Sequence, residues 1–454
     1  MRNKSIAFVL ILLIVWGIIT YFLFLDRPIG NDIGKDNFNN ELMKLERAVE
    51  SEIALNKELL TQLNEQRKNK YSENDNVVEN EKIVEPTKKE IQNTNVFRSG
   101  ISLGKKTLPD GSPIIAVLVF SCNRVGVKRC LDQLINLRPS ADQFPIIVSQ
   151  DCDDQPTADV IKSYKDQLLH IRQPDQSDIE IPLREKKFKG YFKIARHYGW
   201  ALNQVFLLFG YQTAIVVEDD LDISSDFFEY FLGTYPLLVS DKSLWCVSAW
   251  NDNGKETLVD EQAPHLLYRT DFFPGLGWML TRDLWLELGP KWPRAYWDDW
   301  IRHPEQRKNR ACIRPELSRT RTFGKIGVSN GLFYEKHLKY IKLNQKFVPF
   351  TKRNLTYLLK DNYDISFVNE VYQSRVINSS VLKSGKISPP GPVRIRYHNP
   401  IEYKLTAKKL GLMDDFKSGV PRTGYRGIVT FFYNKLRVYL APGYNWNGYD
   451  IAWS

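Results

Sequence analysis

The chain has 454 residues, which is long enough for two domains plus extensions, and its 43% hydrophobic and 13% aromatic residues can build a sizeable core. Its net charge of +10 comes from lysines and arginines that are spread among acidic residues without a long basic block. This distribution argues against a nucleic-acid-binding protein, although a basic surface would help to attract an anionic nucleotide.

The N-terminus contains an uncharged segment, residues 6–25, that is long enough to cross a bilayer as a helix. Arg2 and Lys4 precede it, which favours a cytosolic N-terminus. A cleaved signal peptide is the alternative, but it would need a shorter apolar core and a small-residue cleavage site. We therefore predict a cytosolic tail at residues 1–5, a signal-anchor transmembrane helix at 6–25, and a lumenal remainder.

Residues 26–112 are predicted to form a stem. Apolar residues recur at three- and four-residue spacing between Asn40 and Lys68, which predicts an amphipathic helix that could self-associate, although Asn56 falls on the same face. Residues 73–95 are polar and charged, so we expect no fixed structure there.

Strands and helices alternate in the globular part, which begins at residue 113. Apolar runs predict strands at 114–120, 144–148, 170–172, 215–217 and 244–249. Helical spacing predicts helices from 127 to just before Pro139 and at 157–169, 193–209, 227–238 and 282–288. This alternation implies a parallel sheet with right-handed crossovers. Residues 308–325 look basic and turn-rich, and residues 361–454 predict a smaller, mostly β domain.

Three adjacent carboxylates, Glu218, Asp219 and Asp220, follow the predicted strand at 215–217. They are tolerable where the chain leaves the sheet, and ligands of open α/β sheets bind at that carboxyl edge. Clustered carboxylates suit a hard divalent cation, which in turn suits phosphate oxygens. The alternative is an acidic turn that only ends the strand before the next helix.

Other polar residues follow neighbouring predicted strands. Arg124 and Asp151 follow the first two, where arginine can pair with a diphosphate and aspartate can accept from a uracil imide or a ribose hydroxyl. Asp298 and Asp299 lie beside Trp297 in an aromatic segment, where rings can pack on a sugar and a carboxylate can take a proton from a hydroxyl. The alternative for this segment is a helix start with buried tryptophans and a capping aspartate.

The five cysteines match no zinc pattern and fit an oxidising lumen. Cys122 and Cys152 each follow a predicted strand, so a bridge between them is reasonable if those strands are neighbours. That bridge would leave Cys246 to pair with Cys312, but five cysteines permit several connectivities. Two N-glycosylation sequons, either of which could be unused, begin at Asn354 and Asn378.

From about residue 114 to the C-terminus, the sequence resembles the N-acetylglucosaminyltransferase I family, glycosyltransferase family 13. The motifs that carry the resemblance are Phe144-Pro-Ile-Ile-Val-Ser-Gln-Asp-Cys, Lys193-Ile-Ala-Arg-His-Tyr, Val217-Glu-Asp-Asp-Leu, Phe273-Pro-Gly-Leu-Gly-Trp, and Trp297-Asp-Asp-Trp through Arg319-Thr. The resemblance implies a GT-A fold, with a Rossmann-like, parallel-rich catalytic domain at 113–324. A linker with a donor-closing loop at 325–360 and the smaller domain at 361–454 would follow.

The resemblance also implies residue roles. Asp220 would bind Mn²⁺ directly, and Asp298 would be the catalytic base. The nucleotide-sugar would be contacted by Arg124, Asp151, His197, Glu218, Asp219, Trp297 and Ser329. The family also implies disulfides Cys122–Cys152 and Cys246–Cys312 and a free thiol at Cys130. One departure is Asn123, where the family more often has aspartate before the arginine.

The implied activity is inverting transfer of GlcNAc from UDP-GlcNAc to O2 of the α1,3-linked mannose of high-mannose N-glycans, which forms a β1,2 linkage and starts hybrid and complex N-glycan synthesis. The implied location is the Golgi membrane. One alternative is a protein O-mannose β1,2-N-acetylglucosaminyltransferase, but the stem is too short and polar for the lectin-like domain of that enzyme. A second alternative, a membrane-anchored glycan-binding protein without catalysis, is disfavoured by the intact acidic residues. A third, a Golgi tether acting through the stem helix, leaves the lumenal residues unexplained.

Overall fold

The computed structural model of the protein describes residues 107–325, 327 and 331–453, all within one compact unit, Pro86–Ser454. The predicted tail, anchor and most of the stem lie outside the described residues. Within the described residues, no helix is long and apolar enough to cross a membrane.

Ten strands make up the sheets of the first part of the described chain. They are β1 (Ala116–Ser121), β2 (Ile146–Gln150), β3 (Leu169–Arg172), β4 (Thr213–Glu218), β5 (Leu221–Ile223), β6 (Leu244–Ser248), β7 (Leu267–Thr270), β8 (Trp278–Thr281), β9 (Ala311–Pro315) and β10 (Thr320–Thr322). Eight of them form the main sheet in the spatial order β3-β2-β1-β4-β8-β6-β9-β7, and β5 pairs with β10 in an antiparallel ribbon.

The main sheet is mixed but mostly parallel. β1 to β4 pair in parallel, as do β6 and β9. β8 and β7 run antiparallel to their neighbours. The prediction of a parallel-rich α/β sheet is therefore confirmed, and β8 and β7 are additions that the strand–helix alternation did not indicate.

Helices cover both faces of this sheet. They are α1 (Val127–Leu137), α2 (Gln155–Lys162), α3 (Lys189–Asn203), α4 (Phe227–Ser240), α5 (Arg282–Leu288), α6 (Trp297–Ile301), α7 (Pro304–Arg307) and α8 (Leu332–Lys336). Successive residues of a strand point to opposite faces, so Val117 packs in one core with Leu131 of α1, while Leu118 packs in another with Ala201 of α3. The predicted helix at 157–169 is too long, because the chain turns at Lys165 (φ 53°) to enter β3.

The C-terminal part was predicted to be mostly β, and this is wrong. It contains α9 (Lys360–Gln373), α10 (Ser379–Ser384), α11 (Pro400–Leu410), and strands β11 (Arg375–Val376), β12 (Val393–Arg396), β13 (Phe416–Lys417), β14 (Val420–Pro421), β15 (Val429–Tyr433) and β16 (Leu436–Ala441). The helices have 14, 6 and 11 residues. The overlooked signal in α9 is the four-residue spacing of Tyr363, Phe367 and Val371, which are all buried.

Both expected disulfides are present. Cys122 and Cys152 follow the neighbouring strands β1 and β2, with Cα atoms 5.1 Å apart. Cys246 and Cys312 are direct partners in the pairing of β6 with β9, with Cα atoms 4.6 Å apart. Cys130 is free and buried in α1. Parallel neighbours therefore place the cysteines at bonding distance, as the resemblance implied.

Candidate active site

The carboxyl ends of β1 and β4 meet at one edge of the main sheet and bring Arg124 onto the acidic triplet. Arg124 Nη1 lies 3.1 Å from Asp219 Oδ1 and 2.7 Å from Asp220 Oδ2. The Ser121 hydroxyl donates to Asp219 Oδ2 over 3.2 Å. The two aspartate side chains are only 12% and 17% exposed, so they face a recess rather than open solvent.

The triplet carries more negative charge than its surroundings neutralise. Burial, together with the charge of Asp220, raises the pKa of Glu218 to about 7. Burial also raises the pKa of Asp219 to about 6, although Arg124 opposes that shift. Such carboxylates fit a divalent cation, whose charge would stabilise their ionised forms. No group of three or more acidic, histidine or cysteine side chains in the described chain forms a ready metal cage, so a ligand would have to supply the remaining oxygens.

An aromatic stack connects the triplet to the Trp297 segment. Tyr198 of α3 donates its hydroxyl to Glu218 Oε1 over 2.9 Å, and its ring stacks on Phe120 with centroids 3.7 Å apart. The Tyr198 ring also stacks on the ring of Trp297, the first residue of α6, with centroids 4.5 Å apart. Glu218 and Trp297 are thus both in contact with one tyrosine.

Asp298 lies close enough to Tyr198 and to the acidic triplet to interact with them electrostatically. Burial raises the pKa of Tyr198 well above its usual value, and the charges of Glu218, Asp298 and Asp220 add to that shift. Tyr198 contacts both Glu218 and Trp297, and Asp298 follows Trp297 in α6, so the acidic triplet and Asp298 lie on the two sides of one tyrosine. The Asp298 side chain is 46% exposed, which leaves it accessible to a ligand.

Arg302 holds the two aspartates of α6. Its Nη1 lies 3.0 Å from Asp298 Oδ2 and 3.1 Å from Asp299 Oδ1, and its Nε donates to the Phe273 carbonyl. The guanidinium is 8% exposed. Sequence reasoning missed Arg302 and the contact role of Tyr198. The available signals were the three- and four-residue spacing of Arg302 from the aspartates and the position of Tyr198 in the Lys193 motif.

His197 and Asp151 lie farther along the same edge, beside the end of β2. The Ser149 hydroxyl lies 2.7 Å from His197 Nε2, and Asp151 Oδ1 accepts from Gln176 Nε2 over 2.9 Å. Burial lowers the pKa of His197 to about 4, against the opposing charge of Asp151, so the imidazole is neutral at pH 7. Both side chains are therefore fixed hydrogen-bonding groups.

The start of the predicted closing loop lies on the site. A Cβ added to Gly324 would be 1.9 Å from Asp220 Oδ2, which only glycine allows, and one added to Gly327 would be 3.8 Å from Arg124 Nη2. Ser329 lies outside the described residues. The structure therefore brings together Arg124, Glu218, Asp219, Asp220, Trp297 and Asp298, with Asp151 and His197 beside them. Their functional roles stay predictions.

Comparison with known proteins gives the following likenesses. The chain is 41% identical over 333 residues to an Arabidopsis thaliana protein named alpha-1,3-mannosyl-glycoprotein 2-beta-N-acetylglucosaminyltransferase, covering 72% of this chain and 74% of the relative. Staphylococcus aureus TarS 1-349 aligns with a TM-score of 0.33 at 12% identity, over 45% of this chain and 58% of that chain. The mannosyltransferase PcManGT from Pyrobaculum calidifontis aligns with a TM-score of 0.28 at 14% identity, over 41% and 49% of the two chains. TM-scores this low support no inference about this chain.

The assignment to a family rests on nearly the whole sequence. The model of the GNT-I family matches residues 8–453, a span that includes every described residue. The Arabidopsis relative exceeds 30% identity over more than two thirds of the chain. The chain therefore belongs to the GNT-I family.

Proposed function

We propose that this protein transfers GlcNAc from UDP-GlcNAc to O2 of the α1,3-linked mannose of high-mannose N-glycans, with inversion to a β1,2 linkage. Family membership and the name of the Arabidopsis relative support this activity. The observation that supports it is the contact of Tyr198 with both Glu218 of the acidic triplet and Trp297, the neighbour of Asp298, because a transferase must place a donor and a proton acceptor near one reacting centre.

The donor would bind at the carboxyl edge of β1, β2 and β4, in a GT-A domain covering residues 113–324. Asp220 would hold Mn²⁺, which when bound would neutralise charge on the leaving diphosphate as a Lewis acid. Arg124 lies beside Asp220 and is placed to pair with diphosphate oxygens. Asp151 and His197 offer hydrogen-bonding groups to the nucleotide at the adjoining end of β2.

The acceptor would enter on the side of α6. Asp298 would take the proton from mannose O2 as that oxygen attacks the anomeric carbon. Since UDP-GlcNAc is α-linked, a single in-line displacement gives the β product. Arg302 fixes the Asp298 carboxylate. Trp297 is only 7% exposed and stacks on Tyr198, so it would support the sugar site mainly by holding the start of α6 in place. Closure of residues 325–331 over the donor would exclude water and limit hydrolysis.

The test is incubation of the full-length chain, purified in detergent, with UDP-GlcNAc, Mn²⁺ and separate high-mannose N-glycan and O-mannosyl peptide acceptors. We expect transfer to the N-glycan, with the new linkage on O2 of the α1,3-linked mannose. Transfer only to the peptides would favour the O-mannose enzyme. Glycan binding without release of UDP would favour a non-catalytic lectin.

We also propose that the protein is a single-pass type II protein of the Golgi membrane, with the described residues in the lumen and possible self-association through the stem. The two disulfides are typical of an oxidising compartment, and both sequon asparagines, Asn354 and Asn378, are exposed. Protease treatment of sealed Golgi vesicles should leave residues 107–453 intact. Digestion without detergent would contradict this orientation.

A further inference from the structure

A cavity of about 520 Å³ lies against α6, beside Asp299. It is formed by the start of α6, the end of α8 and residues 413–418. Its volume is within the range of about 300–1,000 Å³ that is typical of small-molecule sites. The lining residues that matter here are Asp299, Lys336, His337, Asp414, Phe416 and Lys417.

The cavity begins one residue from the proposed base. Arg302 Nη1 holds Asp298 and Asp299 together, at 3.0 and 3.1 Å. Asp298 does not line the cavity, whereas Asp299 does and lies 3.0 Å from Lys417 Nζ in the cavity wall. Asp298 is therefore the proposed base, and the next residue, Asp299, lines the cavity. An acceptor that reacts at Asp298 would have the cavity beside it.

The cavity wall contains polar groups without partners. His337 is only 6% exposed, and its Nδ1 has no hydrogen-bond partner among the described residues. The Asp414 carboxylate also lines the cavity; it is half-buried and makes no hydrogen bond or ion pair with the described residues. A buried unpaired polar atom destabilises a fold unless a ligand or water satisfies it. Hydroxyl groups can donate to Asp414 and can either donate to or accept from the imidazole.

The lining suits a neutral polyhydroxylated ligand better than an ion. Charges of both signs are interspersed, with Lys417 paired to Asp299 and Asp415 paired to Arg422. Phe416 and Met413 add apolar surface that can pack against the carbon face of a sugar. Such a combination of polar groups at an apolar wall is what a hexose requires.

We propose that this cavity binds a second mannose residue of the branched acceptor, one other than the mannose whose O2 is glycosylated. The inference rests on the proposed function and deepens it. It makes the cavity a specificity subsite that distinguishes a branched glycan from a single arm.

The test compares two acceptors, a branched high-mannose N-glycan and an α1,3-linked mannose disaccharide, in the full-length enzyme. His337→Leu and Asp414→Asn should each raise KM for the branched glycan about tenfold, the loss of roughly one hydrogen bond. Transfer to the disaccharide, and KM for UDP-GlcNAc, should change less than twofold. The matched controls are His398→Leu and Asp142→Asn, two exposed positions away from the cavity.

A thermal readout separates a ligand-binding histidine from a structural one. Because Nδ1 is unpaired, His337→Leu should leave the melting temperature unchanged or raise it. Equal effects on both acceptors, or no effect on either, would overturn the subsite while leaving the proposed function intact. No transfer by the native chain to either acceptor would instead overturn the proposed function, and the subsite with it.

Discussion

In the proposed mechanism, proton transfer from the acceptor depends on a single residue, Asp298. Asp298→Asn keeps the size of the side chain and its contact with Arg302 but removes the proton acceptor. We expect the transfer rate to fall by about 10²–10⁴, with UDP affinity in Mn²⁺ nearly unchanged. Steady-state transfer and calorimetric UDP titration measure the two effects. Asp299→Asn is the control and should lower kcat less than tenfold, and comparable turnover of Asp298→Asn would remove it from the role of base.

Asp220 is the residue to which we assign the metal. Asp220→Ala should abolish the enhancement of UDP binding by Mn²⁺, while the contact of Arg124 with Asp219 remains. Gly324→Ala should reproduce part of this defect, since its Cβ would collide with Asp220 Oδ2 and displace the carboxylate. Titrations of each variant with UDP, with and without Mn²⁺, measure the gain in UDP affinity that Mn²⁺ causes. Unchanged Mn²⁺-dependent affinity in Asp220→Ala would contradict the assignment.

A buried ion pair joins the start of α4 to the residue that precedes β10. Asp226 precedes α4, and its Oδ2 lies 3.0 Å from Arg319 Nη2, with both side chains fully buried. Asp226→Ala would leave that guanidinium uncompensated and should destabilise the protein by about 3–5 kcal/mol in urea unfolding. The contrasting variant is Asp132→Asn, which breaks an exposed pair with Lys128 and should cost about 0.5 kcal/mol or less.

Acid sensitivity at strand β3 follows from His170. Burial, with Arg172 and Lys162, lowers the pKa of His170 to about 4, whereas an unfolded histidine titrates near 6.5. Between these values the unfolded chain binds more protons, so the contribution of His170 is complete above pH 6.5 and is lost as pH falls towards 4. His170→Asn should therefore flatten the decline of melting temperature between pH 7 and 5. If the melting temperature of His170→Asn declines as steeply as that of the native protein, protonation of His170 is not the cause.

Sequence patterns gave the elements whose interiors are apolar. The strands β1, β2 and β4 were predicted because each contains an unbroken run of at least three apolar residues. β9 was missed because its buried side chains include Arg314, which lies over the Tyr268 ring and looks like a surface residue in sequence. Local composition cannot show that a cation is buried against an aromatic ring, because the ring belongs to a distant strand.

As with the strands, only part of the candidate site was predictable from the sequence. The acidic triplet and Asp298 stand in dense motifs, and their chemistry follows from residue type. Arg302 and Tyr198 act through contacts with those acids, which only the folded chain reveals. The cavity beside Asp299 is formed by three segments that lie more than 30 residues apart in the chain, so no local motif could indicate it.

At the scale of the whole molecule, the predicted boundary near residue 361 crosses a continuous core. Phe367 of α9 and Tyr439 of β16 belong to the same apolar cluster as Val117 of β1. We therefore expect one cooperative calorimetric transition for residues 107–453 rather than two. Phe367→Ala should lower the temperature of that whole transition, by an amount corresponding to about 3–5 kcal/mol. Two separate calorimetric unfolding transitions would instead support the predicted division into two domains.

The remaining thiol gives this enzyme an internal reporter. Four of the five cysteines are in disulfides, and Cys130 lies behind the donor edge with its Sγ 3.7 Å from the Glu218 carbonyl oxygen. Burial, followed by the charges of Asp219 and Asp220, raises the pKa of this thiol well above its usual value. An alkylating reagent can therefore modify native protein only when α1 lifts from the sheet. The rate of that labelling therefore reports how often α1 separates from the sheet beneath the proposed nucleotide site, without any engineered probe.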